Sequence, residues 1–120
     1  MKIEVLGTLA TFLIPSLKVH NPRYSKSHRN VAKQIHRFLF DTFGGYTSSL
    51  GNVSGYFGPN AATNQVAEYD EHKEFHVAIR DDERGSKFRK LQKFLARLCA
   101  DIDEKCIYLV HGGEAVLIYP

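Results

Sequence analysis

A chain of 120 residues with 43% hydrophobic composition is enough for one domain, 1–120, that buries roughly two thirds of its unfolded surface, which excludes a multidomain assembly and any need for staples. Its two cysteines, Cys99 and Cys106, make no disulfide framework and point to a reducing compartment, so the expected localisation is cytoplasmic. The net charge of +3 is small, and the start Met1-Lys2-Ile3-Glu4-Val5 fits neither a signal peptide nor a membrane span, so no membrane partner is expected.

In chain order, 3–17 is rich in β-branched and aliphatic residues and closed by Pro15, which predicts a first strand ending near Ile14. From Ser25 to Phe43, Val31, Ile35, Phe38, Leu39 and Thr42 recur at helical spacing. Ser25 or Ser27 is placed to cap this helix, and Gly44-Gly45 to end it in a left-handed turn. A glycine-diluted strand over 52–57 follows, then a loop with turn chemistry, Pro59 to Asn64, joining two antiparallel strands. The second of these contains Phe75, Val77 and Ile79 at strand period. Phe88, Leu91, Leu95, Leu98 and Ile102 trace a second helix over Ser86 to Asp103. Finally, Gly112-Gly113 between two apolar runs suggests a tight hairpin in 106–119.

Strand, helix, strand, strand, helix, strand is the order of a ferredoxin-like βαββαβ sandwich, α+β in class. Two helices cover one face of an antiparallel sheet, and the last strand is open to division into a hairpin. The other face is left open. Because strand side chains alternate, pointing Phe75, Val77 and Ile79 at the helices sends Glu68, Asp70, His72, Glu74 and His76 to that open face. One competing arrangement dissolves this row. If Asp70-Glu71-His72-Lys73 is a turn, Gln65 to Tyr69 pairs with Glu74 to Ile79 as a hairpin, and a strand from Val66 to Ile79 is long against a typical length of about five or six residues.

The central third of the chain resembles a family of small uncharacterised bacterial ferredoxin-like α+β proteins. The resemblance is carried by Phe43-Gly44-Gly45-Tyr46-Thr47, by Gly55-Tyr56-Phe57-Gly58, and by Glu68 ahead of Phe75 to Ile79. It implies a ferredoxin-like fold and no particular activity.

Three chemistries compete for the open face. His76 and Glu74, joined by His111 of the final strand, make a candidate metal set of two imidazoles and a carboxylate. His72 and His76 together are a poorer pair, being about 13 Å apart along an extended strand. An imidazole beside a carboxylate also offers general acid and base catalysis, although no nucleophile motif and no phosphate loop accompanies it. Small-molecule binding fits the layout best, with Tyr56 and Phe57 as aromatic walls and Glu68, Asp70, His72, Glu74 and His76 as polar anchors that favour a cationic or hydroxyl-bearing ligand. A homodimer packed through the same face is expected. No cofactor is identified. Nucleic acid or nucleotide phosphate binding through the two basic helices, whose cations fall in the blocks Lys18 to Arg37 and Arg84 to Arg97, ranks lower, because such cations usually lie solvated over apolar surface.

Overall fold

The computed structural model describes residues 1–57, 68–82 and 84–120. The order of elements is β1 (Thr8–Pro15), α1 (Ser16–His20), a 3-10 turn (Pro22–Tyr24), α2 (Val31–Phe43), β2 (Thr47–Ser48), β3 (Val53–Phe57), β4 (Glu68–Ile79), α3 (Ser86–Asp101), β5 (Ile107–His111) and β6 (Glu114–Ile118).

In β1, Ala10, Phe12 and Ile14 alternate with Leu9, Thr11 and Leu13, and only the first three are fully buried. The same alternation in β4 buries Phe75, Val77 and Ile79, which β1 meets through the antiparallel pairs Phe12↔Phe75 and Ala10↔Val77. The Phe12 and Phe75 rings stack with centroids 5.2 Å apart. β1 also pairs with β5, and β5 with β6, so the sheet runs β2-β4-β1-β5-β6, with β3 as a second partner along the β2 edge of β4. Every described ladder is antiparallel. With the helices on one face, this is the α+β, ferredoxin-like arrangement expected from the order of elements, its last strand folded into a hairpin. Gly112 and Gly113 turn that hairpin at φ 60° and 82°, the left-handed pair that a two-residue connection of the primed type requires.

One core joins sheet and helices. Val31, Ile35 and Leu39 of α2 and Leu91, Leu95, Leu98 and Cys99 of α3 close over the buried strand residues. Each large aliphatic side chain fully withdrawn from water there contributes about 1.5–3 kcal/mol. Phe38 and Phe94 stack between the two helices at 4.1 Å.

Several local expectations need correction. The first long helix starts at Val31, not near Ser25, because His28 takes a positive φ of 56° and Asn30 supplies the cap, its side chain accepting from Lys33 N at 2.9 Å. Ser25 and Ser27 are engaged elsewhere: Ser25 Oγ donates to Asp101 at 2.6 Å, and Ser27 donates to it from both N and Oγ. The second long helix stops at Asp101, two residues short, as Asp103 turns to φ 55°. Pro15 ends β1 and opens α1, a five-residue helix that buries Val19. Gly44 ends α2 at φ 84°, as the Gly-Gly pair implies.

The alternative hairpin around Asp70 to Lys73 does not form. β4 runs unbroken from Glu68 to Ile79, and Asp70 to Lys73 is strand. Backbone partners on both sides stabilise this length. β1 covers His72 to Ile79, while β3 covers Glu68 to His72 and β2 covers Phe75 and His76. The expected loop Pro59 to Asn64 lies outside the described residues. Among the described residues no helix is long and apolar enough to cross a membrane.

Candidate functional site

β4 positions the candidate residues. Since Phe75, Val77 and Ile79 face the helices, Asp70, His72, Glu74 and His76 stand in a row on the uncovered face, and all four are half-buried. Each imidazole takes the carboxylate two residues before it. His72 Nε2 lies 3.7 Å from Asp70 Oδ2, and His76 Nε2 lies 3.5 Å from Glu74 Oε2. Such pairing keeps two acids and two imidazoles tolerable on a sheet face only partly open to water.

His76 is the best-positioned of the four. Its Nδ1 stands 3.0 Å from the hydroxyl of Thr11, its neighbour across the β1–β4 ladder, and Thr47 of β2 flanks it on the other side. In the tautomer that carries its proton on Nε2, Nδ1 accepts from the Thr11 hydroxyl, and the ring bridges a hydroxyl and a carboxylate. Thr11 is absent from the residues singled out by sequence. Its signal was nevertheless there: with Ala10, Phe12 and Ile14 turned inward, Thr11 is the polar side chain that a central strand sends to the open face.

A cleft of about 500 Å³ opens at His76. Leu6, Leu9, Ala78 and Phe43 supply apolar wall, Thr47 and His76 polar wall, and the chain leaving α2 through Gly44 and Gly45 forms the rim. That rim is the C-terminal end of a 13-residue helix, where unsatisfied carbonyls carry partial negative charge. The Gly44-Gly45 turn, read from sequence only as a helix stop, also builds the cleft.

The proposed metal set is not assembled. His111 pairs with Ala10 of β1, on the helix-covered face, and its ring stacks on Phe88 of α3 at 3.9 Å. His76 pairs with Thr11, one position along, which places it on the opposite face of the same sheet. Among the described residues no three histidines, cysteines or acids stand close enough to share an ion. Tyr56 pairs with Tyr69, and Phe57 with Glu68, at the far end of β4 from His76; the side chains of Tyr56, Phe57 and Glu68 lie outside what is described.

Toward β6 the open face turns apolar. Tyr108 and Leu117 pair across β5 and β6, and Leu9 and Leu117 are 57% and 48% exposed. Away from this face, Cys99 is buried in α3 with its Sγ donating to Glu104 O at 3.1 Å, and burial first, then the neighbouring Cys106 and Glu104, pushes its thiol up to about 11. It is a core residue, unsuited to attack as a thiolate.

The sequence matches no protein-family model and no curated protein sequence. The structure is similar to that of a phage SAM lyase in its apo state, with a TM-score of 0.58 and 8% identity over 100% of this chain and 95% of that one. It is also similar to a phage SAM lyase in complex with S-methyl-5'-thioadenosine, with a TM-score of 0.50, 9% identity and the same coverage. At such identity the likeness shows a shared fold.

Proposed function

We propose that this chain binds a small cationic ligand on its open sheet face, in the cleft beside His76. One observation carries this: Asp70, His72, Glu74 and His76 are held half-buried in a row on an uncovered sheet face that ends in a cleft. Two carboxylates and the carbonyl end of α2 favour positive charge, while Leu6, Leu9 and Phe43 offer surface to an apolar or aromatic moiety. An adenosyl sulfonium combines both features. The structural similarity to SAM lyases, one solved with S-methyl-5'-thioadenosine, supports SAM as the first ligand to test.

Calorimetric titration with SAM and with S-methyl-5'-thioadenosine tests this directly. SAM is a cation and the thioether product is neutral, so SAM binds the wild type more tightly, and Glu74→Gln narrows the difference. Equal affinity for both ligands, unchanged in Glu74→Gln, would falsify the electrostatic basis.

The Thr11–His76 hydrogen bond favours a second reading, in which the same site is catalytic. His76, oriented by Glu74, accepts a proton from a bound hydroxyl that replaces Thr11 at Nδ1. Incubation with SAM and chromatographic detection of its breakdown separates the two readings: an enzyme loses turnover and keeps its fold in His76→Ala, whereas a binder has none to lose.

A homodimer closing over the open face is part of this proposal. Its support is the exposed apolar side chains Leu9, at the cleft, and Leu117, on β6. Sedimentation equilibrium of the wild type and Leu117→Lys reads it, with the monomer favoured in the variant.

A further inference from the structure

On the opposite side of the molecule from the His76 cleft, a broad groove of about 980 Å³ runs between α2 and α3. Arg29, Lys33 and Arg37 line one wall and Arg97 of α3 lies across from them. Lys33 and Arg37 stand one turn apart on α2, about 6 Å along the axis at 1.5 Å per residue, and Arg29 lies just ahead of the cap Asn30. Like charges at this spacing repel, and the usual remedy is an acid placed among them. Among the described residues none of these four cations makes an ion pair.

Among the described residues the only carboxylate lining the groove is Asp101, at one end, and it is already committed. It accepts hydrogen bonds from Ser25 Oγ at 2.6 Å and from Ser27 N and Oγ at 2.9 and 3.1 Å. Gln34 also lines the groove, and its side chain helps to hold the Asp101 carboxylate in its charged form by hydrogen bonding. The stacked rings of Phe38 and Phe94 give the groove a rigid apolar base between the charged walls. Cations from both walls above a firm apolar base suit an anion with several oxygens.

We propose that this groove binds an anion carrying two or more phosphate groups, a nucleoside or inorganic polyphosphate. Its volume falls within the range of small-ligand sites, roughly 300–1,000 Å³. Asp101 with its serines closes one end, which favours a ligand of limited length over a running nucleic-acid backbone. Arg37 and Arg97 grip phosphate oxygens from opposite walls through charge-assisted hydrogen bonds. The site is separate from the open sheet face and independent of what binds there.

The test is calorimetric titration of the full chain with inorganic tripolyphosphate at low and at physiological salt. Two double variants remove the same charge from different places: Arg37→Gln with Arg97→Gln inside the groove, and Lys90→Gln with Lys93→Gln, exposed on α3 and outside it. The expected result is binding by the wild type that weakens at least about ten-fold in the groove variant and by about two-fold or less in the other. Equal losses in both variants overturn the site, since only diffuse attraction is then at work. Absence of binding to tripolyphosphate overturns it too. A third arm uses single-stranded RNA. Tighter binding of RNA than of tripolyphosphate, with a loss in the Lys90 and Lys93 variant, replaces a polyphosphate site by a nucleic-acid surface along α3.

Discussion

Thr11 Oγ1 and His76 Nδ1 stand 3.0 Å apart across the two central strands, 65 residues apart in sequence. Their contact fixes the imidazole plane at the mouth of the cleft, because Glu74 engages the other ring nitrogen at 3.5 Å. Thr11→Val keeps the shape of the side chain and removes the hydroxyl. The expected outcome is a loss of about 0.5–1.5 kcal/mol in stability, read by urea denaturation. Nitrogen chemical shifts of His76 move from one dominant tautomer toward a mixture. Unchanged shifts would show that Glu74 alone sets the ring.

Asp101 ties the segment before α2 to the end of α3, and its titration sets an acid limit on that connection. Burial acts to raise its pKa, but the hydrogen bonds from Ser25, Ser27 and Gln34 together outweigh it and hold the carboxyl below its ordinary value of 3.8. A depressed folded value means that the stabilisation is fully present above the unfolded value and is lost as pH falls through the folded one. Asp101→Asn should therefore cost about 1–2 kcal/mol at neutral pH. The gap between variant and wild type closes only in acid, below the ordinary carboxylate range. Urea melts at pH 7 and pH 3 check the sign, and a gap that widens in acid contradicts it.

Much of this fold is legible in local pattern. Phe75, Val77 and Ile79 at alternate positions decide which face of β4 meets the helices, and from that step the row of Asp70, His72, Glu74 and His76 follows. Gly44-Gly45 and Gly112-Gly113 mark two chain reversals by the same local chemistry. What escapes local pattern is set by partners far along the chain. Asp70 to Lys73 has turn-like composition and is held extended by β1 and β3, so its state depends on pairing and not on its own residues. Composition alone groups His111 with His76, although a one-residue difference in register, Ala10 against Thr11, sends the two rings to opposite faces. Ser25 and Ser27 look like helix caps until Asp101, more than 70 residues on, takes their hydrogen bonds.

The two thiols differ in environment and should differ in reactivity. Cys99 is fully buried with its pKa raised to about 11, whereas Cys106 is half-buried just ahead of β5. A thiol with so high a pKa is almost entirely protonated at pH 8, and the thiolate is the reactive form. Iodoacetamide at that pH should label Cys106 in the native protein and leave Cys99 until denaturant is added. Mass spectrometry of tryptic peptides reads both sites, and labelling of native Cys99 at the rate of Cys106 would show that α3 opens readily.

Gly7 controls one wall of the cleft through its backbone alone. It enters β1 at φ 140°, and a Cβ there would lie 2.3 Å from Ile79 O, 2.4 Å from Ile79 C and 2.7 Å from Arg80 N. All three are backbone atoms at the end of β4, so none can swing aside, and the dihedral itself disfavours any side chain. In Gly7→Ala the chain before β1 must move off β4, which breaks the hydrogen bond from Arg80 Nη2 to Val5 O at 2.9 Å and carries Leu6 out of the cleft wall. A stability loss of about 1–3 kcal/mol is expected. Gly45→Ala is the matched control: it also lines the cleft, has no positive φ, and a Cβ there meets nothing within 4 Å, so it should change stability by less than about 0.5 kcal/mol. Thermal melts of both variants, followed by SAM titration, distinguish wall from scaffold. Weaker SAM binding in Gly7→Ala with native affinity in Gly45→Ala places the ligand against Leu6, while native affinity in both moves it up the strand toward His72 and Asp70.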